Sequence, residues 1–202
     1  MIHRTEFDTI EQRPLYCPGT LSTQSRSPIL DARARRTFRK LLAAFSELVL
    51  GHRRYDEISV SDIIQRAGVA RSTFYQHFAN KDELLVSSMT PLLDVMAAAA
   101  VGDDVEGDMQ VLLAHFWENR GAARLILRGE PLELIGRSLA ARIEARWDDS
   151  VHRFGAGTPR LAAIYAAQGQ LAVLRAWLAG RISAEVTALA RFLIRSALPE
   201  DS

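Results

Sequence analysis

The seven residues Arg71–His77, RSTFYQH, carry a guanidinium, two hydroxyls, a phenol, an amide and an imidazole, and no carboxylate. Such groups donate and accept hydrogen bonds at base edges and phosphate oxygens, and phosphate would repel a carboxylate placed among them. Phe74 and Phe78 stand four apart, so on a helix they share one face. With both turned inward, Ser72 and Gln76 point straight out, flanked by Thr73 and Tyr75, with Arg71 at the start and His77 near the end. Two plainer readings stand beside this one. Tyr75 can pack on a preceding helix, and Thr73 can serve as a hydrogen-bonder at the helix start.

Other chemistry finds little support. The five histidines (His3, His52, His77, His115, His152) are scattered, and His77 has Thr73 and Lys81 at helical spacing, neither of which completes a metal site. Glu130 and Glu133 could pair as carboxylates, but at the start of a helix they more simply complement its dipole. Cys17 is the sole cysteine, so no intrachain disulfide is possible, and nothing near it activates a thiolate. There is no phosphate-binding glycine loop and no nucleophile elbow. The expectation is no catalytic residue, no metal and no cofactor. A helical enzyme or small-molecule carrier remains the rival from another class, and an architectural DNA-binding protein without a ligand is a third reading.

The elements around Arg71–His77 read as helices. Phe38, Leu41, Leu42, Phe45, Leu48 and Val49 recur at three- and four-residue spacing, which predicts a helix from near Leu30, capped by Asp31 and ending at Gly51. Tyr55 and Ile58 point inward from a short connection. Ser59 or Ser61 can cap a second helix with the stripe Val60, Ile63, Ile64 and Ala67. Gly68 ends it in a left-handed conformation, and Val69 plugs the turn. Asn80 caps the helix that begins KDELL. Three helices, the last two joined by a turn containing glycine, make a helix-turn-helix unit.

Charge supports this placement. Between Asp31 and Lys81 ten basic residues (Arg33, Arg35, Arg36, Arg39, Lys40, Arg53, Arg54, Arg66, Arg71, Lys81) stand against five acidic ones, whereas the whole chain of 202 residues carries a net +1. The segment is a basic module on a neutral-to-acidic body, as the electrostatic part of DNA binding requires.

The stretch ARARRTFRKLLAAFSELVLGHRRYDEISVSDIIQRAGVARSTFYQHFANKDELL resembles the N-terminal DNA-binding domain of TetR/AcrR-type transcriptional regulators, over roughly residues 31 to 86. The resemblance implies a homodimer whose third helix reads DNA, with an all-α ligand-binding and dimerisation domain behind it. It implies that Ser59 and Ser61 touch phosphate and that Arg71, Ser72, Thr73 and Gln76 face the major groove. Tyr75, His77 and Lys81 would hold the phosphate backbone. Arg33, Arg35 and Arg36 would reach adjacent phosphates or the minor groove.

Beyond Lys81 the pattern is helical throughout, with no alternating strand and no repeat. Leu84, Leu85, Met89, Leu92, Leu93 and Met96 predict one helix kinked at Pro91. Further helices follow from Asp104 to about Trp117, after a break near Gly121, and from Pro131 to about Val151. FGAGTP is a loop. Pro159 opens a helix reaching about Gly180, capped by Thr158, and Ser183 caps the last, which ends near Pro199. The fold class is all-α. Residues 1–29 form a disordered or loosely ordered arm, 30–80 the helix-turn-helix domain, and 81–199 the effector-binding and dimerisation domain.

Ala162, Ala166, Gly169, Val173 and Ala176 form a stripe of small residues that lets another helix come close. Val186, Leu189 and Leu193 form a stripe on the last helix. An apolar arc this wide suits partners on two sides, and the resemblance implies that the last two helices of each protomer build a four-helix dimer interface; a monomer with a thick core is the alternative. Candidate effector contacts are Phe116, Trp117, Leu125, Trp147, Phe154 and Tyr165, with His115, Arg124 and Gln168 as polar partners. Each of these also reads as ordinary core or surface. Such a pocket would suit a hydrophobic or aromatic small molecule. The functional expectation is a homodimeric repressor of a pseudo-palindromic operator, released by a small-molecule effector. No apolar run resembles a leader, and the longest uncharged apolar stretch, 161–174, is interrupted by Gln168, Gly169 and Gln170. The expected location is therefore cytoplasmic, with no membrane partner.

Overall fold

The computed structural model describes residues 28–147 and 159–195, and these contain helices and no strand. The chain divides into two compact units, Met1–Arg35 and Arg36–Ser202. In the first unit, residues 28–35 are helical and Arg33 and Arg35 are exposed. Residues 1–27, which hold Cys17 and nearly all of the expected arm, lie outside the described residues.

Helix α1 runs Pro28–Leu50. It starts earlier than the sequence predicts, because proline at the first position gives up an N–H that has no partner there in any case. Asp31 therefore sits inside the helix and does not cap it. Leu41, Phe45 and Val49 are buried along the predicted face, with Phe38, Leu42 and Leu48 packed at its edge. The chain reverses after Leu50, but the left-handed residue is His52, at φ 61°, and not Gly51.

A 3-10 turn, Tyr55–Glu57, leads to α2, Val60–Ala67. Ser59 and Asp62 make a reciprocal capping box at its start, and Gly68, at φ 63° and ψ 42°, closes its end. Helix α3, Arg71–His77, follows directly. Ile63 and Phe74 are fully buried, and Phe78 stacks on Phe38 with ring centres 5.2 Å apart. Asn80 caps α4, Lys81–Ser88: its Oδ1 accepts from the Glu83 N–H at 2.9 Å.

The predicted kinked helix is two helices. α4 and α5, Thr90–Ala100, meet at 57° across Met89. The Ser88 and Thr90 hydroxyls donate to the Leu85 and Val86 carbonyls, taking up acceptors that the break frees. Pro91 lies in the first turn of α5, so it starts a helix where a mid-helix kink was expected. α6 spans Glu106–Glu118 and α7 Arg120–Ile126. The break falls at Asn119, and Gly121 is inside α7.

Helix α8 runs Gly129–Arg146, ending short of Val151, with Pro131 in its first turn. α9 runs Pro159–Leu178 and α10 Val186–Arg195. Thr158, Pro199 and most of the FGAGTP loop lie outside the described residues. Ser183 stands three residues before α10 and does not cap it; the Trp177 indole instead donates to the Ala184 carbonyl at 2.9 Å and ties the connection to α9. Among the described residues no single helix is long and apolar enough to cross a membrane.

From Leu41 to Leu193 the buried apolar side chains form one continuous cluster. Where α8 meets α9, the Gln168 amide lies over the bare backbone of Gly136: a Cβ there would stand 2.7 Å from the Gln168 Nε2. Arg142 on α8 reaches the Asp94 carboxylate and, at 3.3 Å, the Thr90 hydroxyl, while Arg146 lies 3.7 Å from Asp94. These contacts hold α8 against α5 just past the Met89 break.

Candidate nucleic-acid interface

Helix α3 has two faces of different chemistry. Phe74 and Phe78 anchor it in the core, and Arg71, Ser72, Tyr75 and Gln76 are exposed on the other side. Thr73 and His77 sit half-buried at the boundary, with the His77 ring 6.3 Å from Phe38. Tyr75 does not pack away on α1: it is 47 % exposed, and Arg71 donates to its hydroxyl at 3.3 Å while lying 5.6 Å over its ring. Arg71 and Tyr75 are one turn apart, so each restricts the other's rotamers before any ligand arrives. The helix has no side-chain cap, so Thr73 does not serve as a hydrogen-bonding start.

Other residues expected at this surface are already engaged. The Ser59 hydroxyl donates to Asp62 at 2.5 Å and accepts from the Asp62 N–H at 3.1 Å; both serines are exposed, and Ser61 is the one not engaged in this cap. Hydrogen bonds from the Ser59 hydroxyl, then from its N–H and from Arg53, hold the Asp62 carboxyl well below the usual carboxylate range. Lys81 is turned inward. Its ammonium donates to the Tyr55 and Ile58 carbonyls at 3.0 and 3.2 Å and lies 4.2 Å over the Tyr55 ring. The Tyr55 hydroxyl donates to Asp82, and burial first, then that carboxylate, push its ionisation upward. Lys81 thus clamps the turn between α1 and α2 to α4.

The basic excess is also redistributed. Arg53 pairs with Asp62, Arg54 with Asp56 and Arg66 with Glu47. Arg36, Arg39, Lys40 and Arg71 are exposed and carry no ion pair among the described residues. Arg39 and Lys40 join Arg36 as candidate phosphate contacts; the charge count over residues 31–81 already contained them.

The expected effector residues do not converge. Tyr165 is 76 % exposed and Gln168 also faces outward. Trp117 lies at the surface, its ring centre 4.7 Å from that of the buried Trp177 and tilted 32° to it, with Arg120 over it, and the Arg124 Nε donates to the Leu178 carbonyl. His115 and Phe116 are half-buried on α6, and burial pushes the His115 imidazole down against an opposing pull from Glu118. Trp147 is half-buried just past the end of α8, and Phe154 is outside the described residues. Leu125 lines an open cleft of about 370 Å³ with Arg54, Tyr55, Asp56, Arg128, Gly129, Glu130 and Pro131. Sequence reading missed Gln170. It is buried on α9, its Nε2 donates to the Met96 carbonyl at 3.1 Å, and its Oε1 has no partner among the described residues.

The residues expected at a dimer interface fall into three groups. Ala162, Leu189 and Leu193 face the protomer's own core, and Ala166, Val173, Ala176 and Val186 are half-buried. Gly169 is exposed with open space where a Cβ would be. Along the same outer side of α9, Leu161 and Ile164 are 64 % and 41 % exposed.

Residues 46–87, from mid-α1 to α4, match the family model described as bacterial regulatory proteins, tetR family. The chain is 33% identical over 81 residues to the HTH-type transcriptional regulator EthR of Mycolicibacterium smegmatis, covering 37% of this chain and 36% of that protein. It is 49% identical over 47 residues to the HTH-type dhaKLM operon transcriptional activator DhaS of Lactococcus lactis, covering 23% of this chain and 25% of that protein. The matches to curated relatives thus span 15% to 36% of those proteins' length. The fold is similar to that of a TetR transcriptional regulator from Streptococcus agalactiae, with a TM-score of 0.55 at 22% identity over 84% of this chain and 97% of that one. These relatives are named regulators, and none is named an enzyme. Over its helix-turn-helix segment, residues 46–87, the chain thus carries the DNA-binding signature of the tetR family of bacterial regulatory proteins.

Proposed function

We propose that the protein is a homodimeric transcriptional regulator that reads a pseudo-palindromic operator with α3 and is released from it, as a repressor, by a small molecule bound among the later helices. The observation that carries this reading is the acid-free outer face of α3, held rigid by Phe74 and Phe78. Arg71, Ser72, Thr73 and Gln76 meet base edges. Tyr75, His77, Ser61 and the unpaired Arg36, Arg39 and Lys40 meet phosphate. Arg33 and Arg35 are assigned to phosphate by the family resemblance.

Gln76→Ala and Tyr75→Ala are expected to weaken operator binding at least tenfold each while leaving the melting temperature within about 2 °C, since both side chains are exposed. Fluorescence anisotropy across a salt series checks this. Unchanged affinity in both variants would remove α3 from the interface.

The dimer reading is supported by the outer side of α9. An exposed glycine inside a helix costs about 1 kcal/mol relative to alanine, and close approach of a second α9 gives Gly169 a reason to be there. The effector reading is supported by Gln170. A buried amide oxygen without a donor costs about 1–3 kcal/mol, and an uncharged, largely apolar molecule with a hydroxyl or N–H would satisfy it. Gln170→Leu should leave stability unchanged or raise it by about 1 kcal/mol. The same change should abolish the thermal shift given by such compounds in a screened library. Full retention of the shift would place the effector elsewhere.

A further inference from the structure

We propose that Arg71 reads one guanine in each operator half-site and that Tyr75 is the positioning residue that aims it at that base. The inference deepens the regulator reading above and rests on it.

Arg71 stands where helix stability disfavours it. It is the first residue of α3, the first turn holds no acid, and no side chain caps the helix. The positive end of a helix dipole opposes a cation at that place. Residues at the start of a recognition helix are the ones that meet base edges, which gives an arginine a reason to be there.

The pair with Tyr75 gives the guanidinium a direction without cancelling its charge. The Tyr75 ring stands at 85° to that of the fully buried Phe74, with ring centres 5.4 Å apart, so the phenol is braced by the core. Arg71, one turn earlier, lies 5.6 Å over the Tyr75 ring, and its Nη2 donates to the phenol oxygen at 3.3 Å. Other arginines of the head are held by carboxylates: Arg53 by Asp62, Arg54 by Asp56 and Arg66 by Glu47. A carboxylate orients an arginine and neutralises it; a phenol only orients it.

An aimed and fully charged guanidinium suits one base edge above the others. Guanine presents O6 and N7 side by side in the major groove, and the planar fork donates to both at once. Adenine and cytosine would set an amino group against the fork, and thymine offers it a single acceptor. The Tyr75 oxygen accepts from Arg71 and keeps its own hydrogen for a phosphate oxygen. The pair therefore fixes base and backbone contacts in one register.

The test is anisotropy with the full chain on the duplex the wild type selects and on every single-base change within a half-site. Wild type should prefer guanine at one position by about tenfold or more. Arg71→Lys keeps the charge and loses the fork, so it should remove that preference and leave the other positions as they were. Tyr75→Ala should cut the preference at the same position to about threefold or less, on top of a loss shared by all sequences. Tyr75→Phe keeps a ring beneath the guanidinium and should retain more of the preference than Tyr75→Ala. Both side chains are exposed, so melting temperatures should stay within about 2 °C of wild type. A Tyr75→Ala variant that weakens every sequence alike and keeps the full guanine preference overturns the positioning role. An Arg71→Lys variant that selects like wild type overturns the guanine assignment, because a phosphate contact needs only the charge. An enriched operator without an Arg71-dependent guanine overturns this inference alone, whereas a wild type that enriches no duplex overturns the regulator reading beneath it.

Discussion

Phe74→Ala is expected to destabilise the protein by about 3–5 kcal/mol, enough to remove much of the roughly 5–15 kcal/mol that holds an ordinary domain folded. Phe74 is fully buried and touches Phe78, Ile63 lies in the same cluster, and α3 has only seven residues. A helix that short has no independent stability, so its position depends on the two anchors. Urea unfolding should show the loss, and operator binding should vanish with it. Phe74→Leu, which keeps most of the volume, should cost less than about 1.5 kcal/mol and retain binding. Set beside Tyr75→Ala, this separates the two faces of one helix: one side carries stability and the other carries recognition. A Phe74→Ala variant that melts like the wild type would mean that α3 is held by something else.

Placing aspartate at both Leu161 and Tyr165 is expected to separate the proposed dimer into monomers. Both side chains are exposed on α9, 64 % and 76 %, so the change should cost the protomer little stability. In a two-fold interface each substitution is felt twice, and four carboxylates would face one another across the axis. Sedimentation should give the protomer mass. Binding to a two-half-site operator should fall about 100-fold or more, because the second head no longer binds at high effective concentration. Binding to an isolated half-site should be unchanged. A double variant that still sediments as a dimer would place the interface elsewhere.

The reading head was legible because local chemistry determines it. A serine cap at the start of α2, Gly68 at its end, and Phe74 with Phe78 each act within four residues; the structure uses all three and selects Ser59, with Asp62 as its partner, over Ser61. Lys81 was visible as a residue type, but its engagement depends on contacts the pattern does not contain. Lys81 reaches back 26 residues to the Tyr55 carbonyl. The Met89 break was hidden because the apolar period continues across it, and a proline at the start of a helix looks the same in sequence as one inside it. The later helices were least legible. Aromatic residues attract attention, yet Tyr165 points outward while Trp177 is buried. Gln170 looks like its neighbour Gln168, and only the approach of α5 decides which of the two loses water.

The central claim is that the outer face of α3, presented twice by a dimer, selects a DNA sequence. Selection from a random duplex pool by the purified full chain tests it most directly. The expected enriched sequence has two inverted half-sites, with centres one helical turn (~34–36 Å) or somewhat more apart, and Gln76→Ala alters the preferred bases within each half-site. A pool that emerges without enrichment, or an enriched sequence that Gln76→Ala and Arg71→Ala leave unchanged, would contradict the account.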